Sequence, residues 1–177
     1  MRNDATFVEV DGKSLRLSHL SKVLFPDDGI TKAELLFYYQ TVVPVLLPHL
    51  RGRPLTLKAF PNGVKEHPYY RRRLAATTPD WVSRVELEDG FAPVIEDVAD
   101  LLWMVNQDSV ELHPWLSRRE NLRKPDLLVF DLDPGTLLPF ERLCEAAIIV
   151  KEALESLGVQ SWPKTSGANG LHASATL

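Results

Sequence analysis

The segment Leu127-Leu-Val-Phe-Asp131-Leu-Asp133-Pro-Gly135 restricts the fold more than any other part of the chain. Four consecutive apolar residues run into two carboxylates and a Pro-Gly turn, the pattern of a β-strand whose far end meets water. A helical pattern follows from near Pro139, with Phe140, Leu143, Ala147, Ile148, Lys151 and Leu154 at helical spacing and Gly158 as its stop. Val159 to Thr165 and Leu171 to Leu177 then read as two strands joined by Ser166-Gly-Ala-Asn-Gly170. Strand, helix, strand, strand excludes an all-helical or all-β chain.

The rest of the chain agrees. Val8, Val10, Leu15 and Leu17 alternate around Asp11-Gly12, a hairpin signal. Thr31-Lys-Ala-Glu34 is a capping box opening an apolar helix that Pro44 is expected to end or kink. Leu55 to Phe60, Trp81 to Leu87 and Phe91 to Glu96 read as strands, and Asp97 as the cap of a short helix through Val98, Leu101, Leu102 and Val105. The order fits an α+β fold with a mixed or antiparallel sheet flanked by helices, a single domain over residues 1–177. No apolar run approaches the roughly 18–20 residues of a membrane span, and Met1 to Lys13 lacks the layout of a signal peptide, so a cytoplasmic protein is expected. The single cysteine, Cys144, falls in the apolar helical pattern and reads as core.

The formal net charge of −4 argues against a nucleic-acid partner until its distribution is considered. From Arg51 to Arg73 seven basic residues face one glutamate, 7 − 1 = +6, whereas Glu86 to Glu111 holds eight carboxylates and no Lys or Arg, −8. The chain is expected to be electrostatically two-sided. Two solvated faces would explain such runs, but the basic one also holds Phe60, Tyr69 and Tyr70, cations mixed with rings that can stack bases.

Asp131 and Asp133 alternate with Leu132, so their carboxylates share one face of the strand. Two acids that close repel unless a cation lies between them, and hard divalent ions with phosphate oxygens are the usual partners. Capping of the following loop is the plainer alternative. In Lys164-Thr-Ser166-Gly167-Ala-Asn-Gly170-Leu-His172 the turn amides can converge on an anion, with Lys164 adding charge and His172 a donor. A glycine hairpin with a surface histidine is its plainer reading.

These motifs in this order, with Glu111-Leu-His-Pro-Trp-Leu-Ser-Arg118 between and Leu20-Ser-Lys-Val-Leu-Phe-Pro26 near the start, resemble the polymerase domain of bacterial ligase D, of the archaeo-eukaryotic primase superfamily. The resemblance runs from about Asp11 to Leu177. It implies a primase-polymerase fold and template-directed nucleotide addition, preferring ribonucleotides and manganese, in nonhomologous end joining. Asp131 and Asp133 resemble the catalytic pair for Mn²⁺ or Mg²⁺. Lys58, His113, Ser166, Gly167 and His172 resemble contacts to the nucleoside triphosphate, Lys22 and Lys32 the pocket for a DNA 5′-phosphate, and Tyr69 and Tyr70 the aromatics against the template. Implied partners are gapped or broken DNA ends, a ligase and a Ku-type end-binding protein, with a nucleoid-associated location and no membrane. His19, Ala59 and Asn169 depart from the family pattern, each weakening an anion contact. The family's third metal-binding Asp belongs to a portion past Leu177, so the chain is expected to be a C-terminally truncated domain. Two alternatives follow: a non-catalytic DNA-end-binding module, or an inactive remnant.

Overall fold

Three helices and twelve strands, the strands paired in five small sheets, make up a computed structural model that describes residues 5–135, 138–167 and 169–177. Every neighbouring pair within a sheet is antiparallel. The architecture is the mixed α+β one expected from the sequence. Contacts divide the chain into two compact units, 1–115 and 116–177.

The first unit opens with β1 (Thr6–Val10) and β2 (Lys13–Leu17). Asp11 and Gly12 between them both have positive φ, 50° and 71°, as a two-residue hairpin turn matching the strand twist requires. β3 (Val23–Phe25) and β4 (Ile30–Thr31) lead into α1 (Lys32–Leu50). Thr31 caps α1 as expected: its hydroxyl accepts from the Glu34 amide while the Glu34 carboxylate accepts from the Thr31 amide at 2.7 Å. Pro44 does not end this helix, which continues past Pro48 to Leu50. Each proline removes one amide donor, and burial of Leu35, Leu36, Tyr39, Leu47 and Leu50 along one side of α1 outweighs that loss.

β5 (Leu55–Ala59) is the middle strand of a sheet with β6 (Tyr69–Arg71) and β9 (Ser109–Pro114). β7 (Arg84–Leu87) and β8 (Gly90–Pro93) form a hairpin shorter than the sequence pattern suggested, because Val94 and Ile95 leave it for isolated bridges with Pro54 and Arg51. Asp97 caps α2 (Val98–Asn106), accepting from the Asp100 amide, and residues Ala99 to Asn106 are all buried. Around α2 packs a core that includes Leu24, Leu55, Leu57, Ile95, Leu101, Met104 and Val105. The Asn106 side chain joins α2 to the first hairpin, donating to the Arg16 carbonyl and accepting from the Ser18 amide.

In the second unit β10 (Leu127–Leu132), α3 (Phe140–Ser156), β11 (Ser161–Thr165) and β12 (Leu171–Thr176) follow the expected order. The sheet order is β10-β12-β11. β10 is an edge strand rather than a buried one, and its Phe130 is 39% exposed. α3 buries Leu143 and Leu154. Cys144 is half-buried, not core, and lines an apolar groove of about 280 Å³ between α3 and the β11-β12 face. No helix among the described residues is long and apolar enough to cross a membrane.

The expected separation of charge is bridged at particular pairs. Within the first unit Glu111 pairs with Lys58, Asp89 with Arg73, Asp97 and Asp100 with Lys13, and Asp108 with Lys22 and Lys32. Five carboxylates of the acidic stretch thus serve as counter-ions to basic side chains.

Candidate functional site

The middle strand of the first unit's main sheet presents Lys58 between two partners in register, Tyr70 on β6 and Glu111 on β9. Residues directly opposite in an antiparallel sheet share a face, so the three side chains meet. The Lys58 ammonium lies 2.6 Å from Glu111 Oε1 and 5.4 Å from the centre of the Phe60 ring. That hydrogen bond holds the Lys58 pKa above its ordinary value against a small opposing effect of burial. The other Glu111 oxygen lies 3.3 Å from His113 Nε2, and the His113 and Tyr70 rings are 6.1 Å apart. Glu111 therefore joins Lys58 to His113. Sequence reasoning assigned it no role, although Glu-x-His on a strand puts both side chains on one face.

Tyr69 and Tyr70 are both exposed, but strand alternation turns them to opposite faces of β6. Tyr70 shares the Lys58 face, whereas Tyr69 lies with Arg71, whose guanidinium is 5.6 Å from its ring centre. The two rings are not one continuous platform.

β9 carries an irregularity: Ala59 pairs with Ser109 and Lys58 with Glu111, which leaves Val110 unpaired in the register. The Tyr39 hydroxyl donates to the Val110 carbonyl at 2.8 Å, and burial, with the nearby Tyr38 and Glu111, pushes its pKa up to about 12. Just before β9, Asp108 adopts φ +62° and its carbonyl accepts from the Phe60 amide. Its carboxylate meets both lysines expected to bind a 5′-phosphate: Oδ2 lies 2.7 Å from Lys22 Nζ and Oδ1 3.2 Å from Lys32 Nζ. The Lys32 amide donates to the Lys22 carbonyl, so the backbone itself holds the pair together. Lys32 is 1% exposed, and burial lowers its pKa although Asp108 opposes the shift. His19, at the departure from the family pattern beside Lys22, has φ +54°. Asn, Asp and His tolerate that region best among non-glycine residues.

In the second unit the two motifs meet in register. Asp131 on β10 and Lys164 on β11 both face His172 on β12, and Asp131 Oδ1 lies 3.2 Å from His172 Nε2. Asp131 is 62% exposed, and Asp133 follows one residue beyond the strand. A Cβ built on Gly170 would lie 2.7 Å from Asp133 Oδ1 and 2.9 Å from Ser166 Oγ, so a side chain at 170 would displace the carboxylate. The Ser166 amide donates to the Gly170 carbonyl and the Gly170 amide to Ser166 Oγ, closing the turn, with Gly167 at φ +98°. Ala168 of this turn lies outside the described residues.

As oxygen donors Asp131 and Asp133 suit a hard divalent cation that takes its other ligands from water and phosphate. Among the described residues no group of three or more acidic, His or Cys side chains could enclose an ion, so this pair would be a partial set. Lys58, His113, Lys22, Lys32 and the tyrosines belong to the first unit, and Asp131, Asp133, Ser166, Gly167 and His172 to the second.

A family model described as "LigD, primase-polymerase domain" matches residues 31–177. The multifunctional non-homologous end joining protein LigD of Mycolicibacterium smegmatis is 37% identical over 164 residues, 89% of this chain and 22% of that protein. The bifunctional LigD of Bacillus subtilis is 32% identical over 158 residues, 89% of this chain and 26% of that protein. The chain thus spans about a quarter or less of these curated relatives. Among solved structures, the polymerase domain of Mycobacterium tuberculosis ligase D in complex with DNA superposes with a TM-score of 0.82 at 35% identity, covering 92% of this chain and 61% of that one.

Proposed function

We propose a function on one premise: this chain belongs to the LigD primase-polymerase domain family. The proposed activity is template-directed nucleotidyl transfer, filling gaps or extending ends with a preference for ribonucleotides, in nonhomologous end joining. The observation that carries it is the cross-strand row Asp131–His172–Lys164 beside the Ser166–Gly170 turn, carboxylates next to cationic and amide donors on adjacent strands.

In the proposed reaction the primer 3′-hydroxyl attacks the α-phosphorus of a nucleoside triphosphate. The new phosphodiester bond forms as the α–β bridge breaks and pyrophosphate leaves. His172, Ser166 and the Gly167 amide would bind triphosphate oxygens, and Lys58 and His113, organised by Glu111, would contribute further contacts. Asp131 and Asp133 would hold Mn²⁺ or Mg²⁺, which when bound neutralises phosphate charge and lowers the pKa of the 3′-hydroxyl. Lys22 and Lys32 would take the 5′-phosphate at the far side of a gap, and Tyr70, with Tyr69 on the other face, would stack template bases. The proposed partners are gapped DNA or DNA ends, a ligase and a Ku-type protein, and in this reading residues 1–177 serve as one domain.

A second reading, a DNA-end-binding module without catalysis, is favoured by the partial ligand set of Asp131 and Asp133. Primer extension on a gapped duplex with a 5′-phosphate, using ribonucleotides and Mn²⁺, separates the two. Extension by the wild type that Asp131→Ala abolishes is the expected result; equal inactivity of both, with retained DNA binding, would establish the second reading.

A further inference from the structure

The two lysines assigned to the DNA 5′-phosphate already hold an anion, and it belongs to the chain. Asp108 places one carboxylate oxygen on each ammonium, at 2.7 Å from Lys22 and 3.2 Å from Lys32, as a phosphate would. The backbone there has φ +62°, a conformation that glycine adopts freely and that, among other residues, Asn, Asp and His tolerate best. It is also held in place, since the Asp108 carbonyl accepts from Phe60 and the next residue is paired in the β5-β9 ladder. The carboxylate therefore reaches the lysines from a fixed anchor and can leave them only by rotating its own side chain. Its side chain is 17% exposed overall, with Oδ1 buried against Lys32 as an ion pair without a hydrogen bond.

Resting on the reading that Lys22 and Lys32 take a DNA 5′-phosphate, we propose that Asp108 is an internal competitor for that anion site, and that the phosphate enters by displacing the Asp108 carboxylate from the two ammonium groups. One carboxylate balances only one of the two lysine charges, so the cluster keeps an excess positive charge that attracts a further anion. A terminal phosphate, a dianion near neutral pH with three acceptor oxygens, balances both lysines where aspartate cannot. The exchange is favourable but weaker than binding to an open pair would be. Asp108 in this way sets the strength of the end contact, holding the chain to a DNA end less firmly than its lysines alone would.

A support role for Asp108 makes the opposite prediction. If the carboxylate chiefly keeps the buried Lys32 charged and in place, its removal should weaken phosphate binding. The experiment compares wild type, Asp108→Asn, Asp108→Gly and Lys22→Ala for equilibrium binding of gapped duplexes bearing a 5′-phosphate or a 5′-hydroxyl, at one fixed salt concentration. Asparagine keeps the shape and tolerates positive φ, and glycine relieves the backbone, so one variant covers a folding failure of the other. The expected result is a rise of roughly tenfold or more in the ratio of 5′-phosphate to 5′-hydroxyl affinity in both Asp108 variants, the size of a released charge-assisted contact. A ratio that is unchanged or falls in folded Asp108 variants, while the wild-type ratio exceeds one and Lys22→Ala removes it, overturns the competitor role and leaves the phosphate pocket standing. A ratio of one in the wild type and in both Asp108 variants overturns the pocket, and the competitor with it. A ratio of one in the wild type that rises in the variants is the competitor role in its strongest form.

Discussion

Asp100 is the most deeply committed charge in the first unit, and Asp100→Asn measures what it holds. Its side chain is 0% exposed. Oδ1 accepts from the Ser83 amide at 3.0 Å and Oδ2 from the Glu96 amide at 3.0 Å, while Lys13 Nζ lies 3.6 Å from Oδ1. Asparagine has the same shape but a single acceptor. Whichever way it turns, one buried amide loses its partner and meets an NH₂ group. A lost hydrogen bond to a charged group, with the donor left buried, amounts to about 3 kcal/mol. Lys13 contributes little to that sum because it keeps Asp97 at 2.6 Å. For a chain of this length about 3 kcal/mol corresponds to a fall of roughly 6–12 °C in Tm. Urea and thermal unfolding followed by far-UV circular dichroism read both quantities. A loss under about 1 kcal/mol would refute the assignment to the two amides, given the size expected for such bonds. So would recovery of stability in the double variant Asp100→Asn, Lys13→Met, since the loss would then reside in the ion pair.

Two further predictions concern titration. Glu111→Gln should bring the Lys58 pKa down toward its ordinary 10.5, because the Glu111 hydrogen bond is the main cause of its elevation; lysine side-chain NMR titration reads the shift. At a partly exposed pair the accompanying stability loss should stay within about 1 kcal/mol. Glu34 has its pKa lowered from 4.5 by the Thr31 amide and then by the Thr31 hydroxyl. Because the folded value is the lower one, the capping box contributes fully above pH 4.5 and is lost as pH falls through that depressed value. Glu34→Gln should flatten this part of the acid unfolding curve, and an unaltered curve would remove the capping box from the account.

Much of the architecture was legible because it is local. Asp11-Gly12, the Thr31–Glu34 box and the Asp97 cap are decided by residues a few positions apart, and each formed where the pattern placed it. β6 and β9 were not singled out: the first has three residues, and the second owes its pairing to β5, far away in sequence. Pro44 did not end α1 because a local rule met a helix fixed by its packing. The electrostatics were least legible. Summing charge along the chain made two faces of residues that folding brings together, by strand register for Lys58 and Glu111 and outside the strands for Arg73 and Asp89. Asp108 and Glu111, the carboxylates that organise the lysines, were invisible for that reason.

Of the strands described, β5 and β12 alone have a partner on both sides. Lys58 rides on the first and His172 on the second, and most of the other candidate contacts lie on the flanking strands or the turns next to them. Local opening starts where hydrogen bonds are fewest, so edges and turns fray before a strand held from both sides. The two side chains most central to each cluster are therefore fastened to the last parts of their sheets to come loose. Around them, β6 and β10 are each held from one side only.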